Sequence, residues 1–520
     1  MDPIDKRANH FKQTLKLPDF TEVFLFYDFI VKRFYLQLCN KFIIFAMKFT
    51  NMKSPKLSIT LFCLFLTVFL RMSGEEKDYL IKPLPEQWQM ERQNFQTSPI
   101  DDNWWNCFED STLRLLIEKA VTNNFNVASA VKNIRMAQKS IGKARANYYP
   151  TLSASAGWTK SKEAGAMRMG ESFTTSYFTL GASMNWEIDV FGRVYESVKE
   201  KKAALEVSRA DYDGVIVSLC ANLATAYMQL RVYQEELKVA KQHIESQSYV
   251  CKITESRFNA QLASMLDVTQ AKIVLYETES SLPSIESNIR VMKNTIALLC
   301  GEYPGSLDSL LEDYNGMPRY EIDLSLGIPA EILRRRPDIV EAEMQLAEYA
   351  AAVGVAKRDF LPTLTLTGSV GTYSNNINHL FGKNSLGYSI EPQLSWTIFE
   401  GLARNYELAE SKLQFEAAID QYNYTVMEAM EEIDNAISEY LAYLEAIELQ
   451  KRVVEQSKKS LDLSFELYRS GLTMFTNVVD SEIDWLTSEN TLITMRGNAL
   501  SSLISIYQAL GGGWEQFQIK

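Results

Sequence analysis

Glycine and proline are both scarce, with 23 and 14 copies in the 520-residue chain. Because these two residues interrupt helices most strongly, their scarcity over such a length favours long helices. Residues 215–300 contain no glycine and a single proline, Pro283, and residues 402–510 contain no proline. We therefore predict a mainly α protein with very long helices.

The chain also lacks the residue clusters that metal sites and catalytic centres require. Its three histidines, His10, His243 and His379, lie far apart, and its six cysteines show no CxxC spacing. A zinc site or a Ser-His-Asp arrangement therefore has few candidate residues. No GxxxxGK[ST] motif for nucleotide phosphates is present either. We predict a protein that is not an enzyme and that holds no metal ion and no other cofactor.

Positive charge is in the minority. The chain has 53 Lys and Arg against 65 Asp and Glu, a net charge of -12. Neutralising the phosphates of a nucleic acid requires a basic surface, which this balance does not supply. We expect no nucleic-acid partner.

The amino-terminal region resembles a secretory signal. Three lysines (Lys48, Lys53 and Lys56) precede an uncharged apolar run over 57–70, which is followed by small residues at 73 and 74. This order is typical of a signal segment, and the run is short for a spanning helix. We assign 47–74 to the signal and 1–46 to an upstream extension. A retained anchor is the alternative. Lipidation at Cys63 is a second alternative, which the lack of a small residue before it disfavours.

The rest of the chain contains an internal repeat. NYYPTL at 147–152 corresponds to DFLPTL at 359–364, and WEIDVFGR at 186–193 corresponds to WTIFEGLAR at 396–404. A period of about 210 residues is far longer than that of solenoid repeats and indicates a duplicated domain. We place an amino-terminal periplasmic segment at 75–109, the first repeat at 110–301, a linker at 302–328, the second repeat at 329–512 and a tail at 513–520.

Apolar residues in each half recur with a mean step near 3.5, which predicts coiled-coil packing. In the first half this series is Ile216, Leu219, Leu223, Tyr227, Leu230, Tyr233 and Leu237, and in the second it is Met430, Ile433, Ile437, Leu441, Leu444 and Ile447. An ordinary helical bundle is the alternative. A helix from Arg193 to about Ser256 would extend roughly 95 Å, which exceeds the size of a compact domain.

Four segments alternate between apolar and polar residues, at about 151–161, 177–187, 363–373 and 386–397. Period two with one apolar face fits strands of a soluble sandwich and equally fits strands of a membrane barrel. Because long helices and a secretory signal occur in the same chain, we favour the membrane barrel. Four strands cannot close a barrel, and open edges are not tolerated in lipid. Single-chain bacterial barrels begin at eight strands, so several chains must contribute, and three would give twelve strands.

The most specific string is IPAEILRRRPDIVEAE at 328–343. It resembles the signature of the TolC-like outer-membrane factors of the NodT/OprM group, and the resemblance covers roughly residues 80–515. It implies a homotrimer with a periplasmic coiled-coil α-helical barrel and a 12-stranded β-barrel in the outer membrane. It further implies a passive exit duct for small molecules, partnered by a periplasmic adaptor, an inner-membrane pump of the RND type and outer-membrane lipid.

The resemblance also assigns roles to individual residues. The predicted periplasmic aperture consists of Thr476, Asn477, Asp480 and Asp267. The hairpin-tip turns contain Arg257, Phe258, Gln261, Tyr468 and Gly471, and Gln261 stands where a glycine is usual, which leaves the conformation of the first turn open. The connector between the halves is Arg334, Arg335, Arg336, Pro337 and Asp338.

Alternatives remain for these sites and for the function. Asp480 could lie on an ordinary solvated helix face, and the three arginines could bind phosphate, although a structural connector is the preferred interpretation. A periplasmic coiled-coil adaptor without a pore would explain the helices but not the four strands. A secreted hydrolase would need a nucleophile and a base, and neither is found.

Overall fold

A computed structural model describes residues 103–163, 173–312, 314, 316–318 and 335–517. The predicted extension, signal and Cys63, as well as Arg334, lie outside the described residues. One described helix is long and apolar enough to cross a membrane, but 72% of the relevant window is buried in the protein, so it belongs to the core.

Each half contains a helix, a two-stranded hairpin and two long helices. In the first half, a short 3-10 helix (Trp104–Phe108) and α1 (Ser111–Asn123) precede α2 (Phe125–Ala146), β1 (Thr151–Glu163), β2 (Phe173–Ile188), α3 (Arg193–Asn259) and α4 (Met265–Leu299). A short α5 (Asp308–Leu311) follows. The second half comprises α6 (Pro337–Arg358), β3 (Thr363–Ser374), β4 (Leu386–Ser395), α7 (Ala403–Arg469) and α8 (Phe475–Ala509). Two further 3-10 turns lie at Ile377–His379 and Glu515–Phe517.

Corresponding helices of the two halves have equal lengths. Both α3 and α7 have 67 residues, α4 and α8 have 35, and α2 and α6 have 22. Each 67-residue helix extends about 100 Å at 1.5 Å per residue. The long helices therefore form two helical hairpins, α3–α4 and α7–α8, with the same layout.

The main core lies where the helices of both halves meet. Its fully buried side chains include Trp104, Phe108, Leu116, Tyr227, Leu230, Ile296 and Leu503. The Trp104 ring stacks on Tyr507 with centroids 5.3 Å apart, which ties the amino-terminal segment to α8. Burial of each large apolar side chain stabilises this region by about 1.5–3 kcal/mol.

The predicted heptad positions are the ones that pack. On α3, five of them are buried (Ile216, Leu219, Leu223, Tyr227 and Leu230), whereas Tyr233 and Leu237 are half-buried. On α7, Ile433, Ile437 and Ile447 are buried, and small or aromatic neighbours such as Ala429 and Tyr440 complete that face. The periodicity in the sequence thus identifies the packed sides of both helices.

The four strands form one antiparallel sheet in the order β1-β2-β3-β4. The register pairs Leu152 with Met184, Met184 with Gly368 and Gly368 with Ile390. Since side chains alternate between faces, the pairing collects the apolar residues on one face and the serines and threonines on the other. The apolar face is open to the surroundings: Leu152 is 74% exposed, Tyr388 80% and Ile390 69%.

Both outer strands of this sheet have a free edge. Within the part of the chain that the structure describes, β1 pairs with β2 alone and β4 pairs with β3 alone. Each edge therefore presents unpaired backbone donors and acceptors that another strand could complete.

Candidate functional site at the hairpin tips

The two helical hairpins reverse direction through turns of equal length. Residues 260–264 join α3 to α4, and residues 470–474 join α7 to α8. In the first turn, the Leu262 amide donates to the Arg257 carbonyl and the Gln261 amide donates to the Phe258 carbonyl. The Leu472 and Gly471 amides make the same two bonds in the second turn. This pair of bonds is the Schellman pattern that ends many helices.

Gln261 and Gly471 occupy the same position in the two turns. The φ of Gln261 is 60° and that of Gly471 is 71°, so both backbones are left-handed. The first turn thus adopts the glycine-type conformation although glycine is absent. A residue with a Cβ atom pays about 1–2 kcal/mol for this conformation, which the fully bonded turn must offset.

Three side chains link the tips of the two hairpins. The Tyr468 hydroxyl donates to the Asp267 carboxylate at 3.2 Å, joining α7 to α4. The Arg257 guanidinium lies 5.0 Å from the centre of the Tyr468 ring and donates through Nη1 to the Arg469 carbonyl at 3.0 Å. We call this set, Arg257, Asp267 and Tyr468, the tip contact.

The tip contact rests on a small apolar core. Tyr468 is 5% exposed, and its ring lies 5.0 Å from that of Phe475, beside the buried Val478. Burial and then the Asp267 carboxylate raise the pKa of Tyr468 above its ordinary value. Because the hydroxyl therefore stays protonated at neutral pH, it remains a donor to Asp267.

Asp267 also caps a helix. The Ser264 hydroxyl accepts from the Asp267 amide at 3.2 Å, and the Asp267 carboxylate accepts from the Ser264 hydroxyl at 2.8 Å and from the Ser264 amide at 3.4 Å. These bonds form a capping box at the start of α4. The Asp267 carboxylate thus takes part in both the helix cap and the tip contact. Its position in the sequence, just after the first turn, predicts neither role.

The other predicted aperture residues lie on the first turns of α8. Thr476, Asn477 and Asp480 are exposed, on the side opposite the buried Phe475 and Val478. The Asn477 side chain donates to the Thr473 hydroxyl at 2.6 Å. These positions leave the three side chains available to an opening or to a neighbouring subunit.

The connector is built around one buried arginine. Arg336 is 6% exposed and donates to the Asp338 carboxylate at 2.7 and 3.1 Å, to Glu432 on α7 at 2.7 Å and to the Ala509 carbonyl at 2.7 Å. Burial lowers the pKa of Arg336, but Asp338 and Glu432 raise it by more, so the guanidinium stays charged.

The neighbours of Arg336 complete the connector. Arg335 forms an ion pair with Glu515 at 3.1 Å. Pro337 is the first residue of α6, where a backbone N–H would have no partner within the helix, so the N–H that proline lacks is not needed. The donors of Arg336 are used by carboxylates and a carbonyl of this chain, so Arg336 joins α6, α7 and α8.

The first half has a matching joint. Asn124 caps α2 and donates through Nδ2 to the Leu299 carbonyl at 2.9 Å, just as Arg336 precedes α6 and donates to Ala509. Leu299 and Ala509 are the last residues of α4 and α8. Sequence reasoning missed this correspondence because asparagine and arginine share no side-chain chemistry beyond an N–H donor.

Two segments of the chain, residues 116–302 and 328–512, match the family described as outer membrane efflux protein. The chain belongs to the outer membrane efflux protein family. It is similar to nodulation protein T of Rhizobium leguminosarum bv. trifolii, with 28% identity over 73% of this chain and 81% of that protein. It is also similar to cation efflux system protein CusC of Escherichia coli O6:H1, with 25% identity over 84% of this chain and 94% of that protein.

A solved structure gives the same result. The outer-membrane channel OprN is similar with a TM-score of 0.78 and 29% identity, over 85% of this chain and 99% of that one. The predicted resemblance is therefore confirmed. This efflux protein is an outer-membrane exit duct with its helices in the periplasm.

Proposed function

We propose that three copies of this efflux protein close one 12-stranded barrel and conduct small molecules passively across the outer membrane. The observation that carries the proposal is the sheet, which has an open apolar face and two free edges. In lipid, apolar side chains are solvated without cost, but unpaired backbone groups are not, so the edges must be joined. Pairing β4 of one copy with β1 of the next would satisfy both requirements.

Three copies also suit the two-part layout of the chain. The equal helix lengths and the matching tip turns support a tandem duplication, with repeats at 110–301 and 329–512. Three chains with two such halves give six similar wedges around one axis. The hairpins would then form the wall of a continuous helical barrel below the membrane sheet.

The tip contact is proposed to hold the periplasmic end of this barrel closed. Arg257, Asp267 and Tyr468 tie the two hairpins of one chain together, and separation of the hairpins would break these bonds. Thr476, Asn477 and Asp480 are proposed to line the aperture. Threefold symmetry would bring three Asp480 carboxylates near the axis, where like charges favour cations or a constriction held by other contacts.

Energy for transport is proposed to come from partners. CusC is named as part of a cation efflux system, and another relative is named a toluene efflux pump outer membrane protein. By analogy, a periplasmic adaptor would pack helices between the hairpin tips, and an inner-membrane pump of the RND type would supply substrate. We propose no enzymatic step for this chain.

Assembly and conduction test the proposal together. The purified full-length protein should run as a heat-sensitive oligomer three times the mass of one chain and should form ion-conducting channels in planar bilayers. A stable monomer that inserts into no bilayer would contradict it.

The tip contact can be tested in the same bilayers. Tyr468→Phe removes the bond to Asp267 and should raise the open fraction of the channel several-fold. Tyr424→Phe is a matched control, since the Tyr424 hydroxyl donates to Glu428 at the same 3.2 Å but within one helix. Equal open fractions in the two variants would refute the role of the tip contact.

A further inference from the structure

A second set of polar side chains joins the two hairpins farther from the tip turns than the tip contact. His243 and Gln247 on α3 meet Glu482, Trp485 and Glu489 on α8. We call these five residues the latch cluster. His243 Nε2 lies 2.7 Å from the Glu489 carboxylate, and the His243 ring lies 4.2 Å from that of Trp485. His243 and Gln247 lie on one hairpin and the other three residues on the second, so hairpin separation must open the cluster.

Three residues of the latch cluster are buried, and the cluster is not fully hydrogen-bonded. His243, Gln247 and Glu482 are 1%, 2% and 4% exposed. Among the residues that the structure describes, His243 Nδ1, both amide atoms of Gln247, Glu482 Oε1 and Trp485 Nε1 are buried without a hydrogen-bond partner. Buried polar atoms of this kind destabilise the packed state and gain hydration when it opens.

The contacts of α8 with its own hairpin partner α7 differ from these. The Ser457 and Ser488 hydroxyls are 2.7 Å apart, Gln450 donates to the Ser488 carbonyl at 3.0 Å, and the Ser460 and Ser481 hydroxyls are 3.3 Å apart. The α7–α8 hairpin is thus held by satisfied bonds. Of the contacts of α8 with α7 and with α3, those at the latch cluster contain the unpaired buried polar atoms, so this is where we expect the helices to part.

Glu482 is the group in the cluster whose charge is most costly. Burial raises the pKa of Glu482 to about 7, against a smaller lowering effect of the Gln247 side chain. The groups that face this region are His243, Gln247 and Cys251 from α3, Glu489 from α8 and Lys458 from α7, whose ammonium lies 5.4 Å from the Trp485 ring. From α4, Lys272 is engaged by Glu255 at 2.7 Å.

We propose that the latch cluster is an acid-sensitive latch: a proton on Glu482 holds α3 and α8 together, and loss of this proton favours their separation. The proposal rests on the proposed gating function of the hairpins. The proton comes from water and returns to it. A neutral carboxyl group tolerates the buried site, whereas a carboxylate gains hydration when the hairpins part.

The pH range follows from the two environments of Glu482. In the closed state its pKa is about 7, and in a hydrated open state it should approach the ordinary value of 4.5. The ratio of open to closed channels should therefore fall as the pH is lowered from 7 to 4.5, by up to about two orders of magnitude, and should be nearly constant above 7.

The test measures the open fraction of full-length trimers in planar bilayers between pH 4.5 and 8. The wild type should close on acidification. Glu482→Gln, an uncharged mimic of the protonated acid, should stay as closed at pH 7.5 as the wild type is at pH 5. Glu466→Gln removes an exposed carboxylate near the tip and should follow the wild type. If Glu482→Gln does not assemble, Glu482→Asp keeps an ionisable group and should retain the acid closure with a displaced midpoint.

Two results would overturn the latch. One is a Glu482→Gln trimer with the pH dependence of the wild type. The other is a Glu482→Asp trimer that conducts without any pH dependence. A wild type that forms neither trimers nor channels would instead overturn the proposed function, and the latch with it.

Discussion

Replacement of Arg336 should separate a structural connector from a phosphate site. The guanidinium makes four hydrogen bonds, to Asp338, Glu432 and the Ala509 carbonyl, while its side chain is 8% exposed. Arg336→Ala would remove all four and leave the carbonyl at the end of α8 without a side-chain donor. Arg336→Lys would keep the charge and one or two bonds.

The expected magnitude follows from the exposure of the partners. The side chains of Asp338 and Glu432 are 46% and 52% exposed, so water can partly replace the lost ion pairs. The Ala509 carbonyl, left buried without its donor, and the lost packing of the Arg336 side chain contribute more to the loss of stability. We expect Arg336→Ala to lower the free energy of unfolding by about 3–4 kcal/mol and Arg336→Lys by about 1–2 kcal/mol.

The first half supplies the comparison. Asn124→Ala removes a helix cap and the bond to Leu299, which should cost about 2 kcal/mol. The assay is the temperature at which the purified oligomer dissociates and unfolds, read together with export in an efflux-deficient strain. An Arg336→Ala variant that keeps this temperature unchanged but abolishes export would refute the structural role, because Arg336 would then act on a ligand.

Three further predictions concern strain and charge. Because positions 261 and 471 both have a left-handed backbone, Gln261→Gly should stabilise the protein by up to about 1 kcal/mol and Gly471→Gln should destabilise it by about 1 kcal/mol. Equal unfolding temperatures in the two variants would argue against strain at these positions. Leu402, with φ of 67°, corresponds to Gly192, so Leu402→Gly should also raise the unfolding temperature, and a fall would mean that its packing outweighs the strain. The free energy of unfolding of the wild type should decrease by about 3 kcal/mol from pH 4.5 to 7 as Glu482 loses its proton, since the pKa of Glu482 is higher in the folded than in the unfolded state. Denaturation of Glu482→Gln should lack this decrease.

The long helices and the faces of the strands could be predicted from the sequence because both are periodic. The heptad series around Tyr227 and the alternation along Leu364–Val370 directly report which side of each element is apolar. Segment ends were less precise: β2 begins at Phe173 and β4 ends at Ser395, because hairpin pairing, not side-chain character, decides where a strand stops.

The contacts between elements could not be predicted in the same way. Tyr468 and Asp267 are 201 positions apart, and His243 and Glu489 are 246 apart. No local pattern records that such residues meet, since their approach depends on how two hairpins pack. The family resemblance identified the tip region, but the tip contact and the latch cluster required the three-dimensional arrangement.

The central claim is that several copies must close one barrel, and projection images of the purified full-length particle along its symmetry axis test it most directly. The images should show a ring of three subunits around a central opening. Single subunits without an opening, with the apolar face of the sheet covered by their own chain, would contradict it.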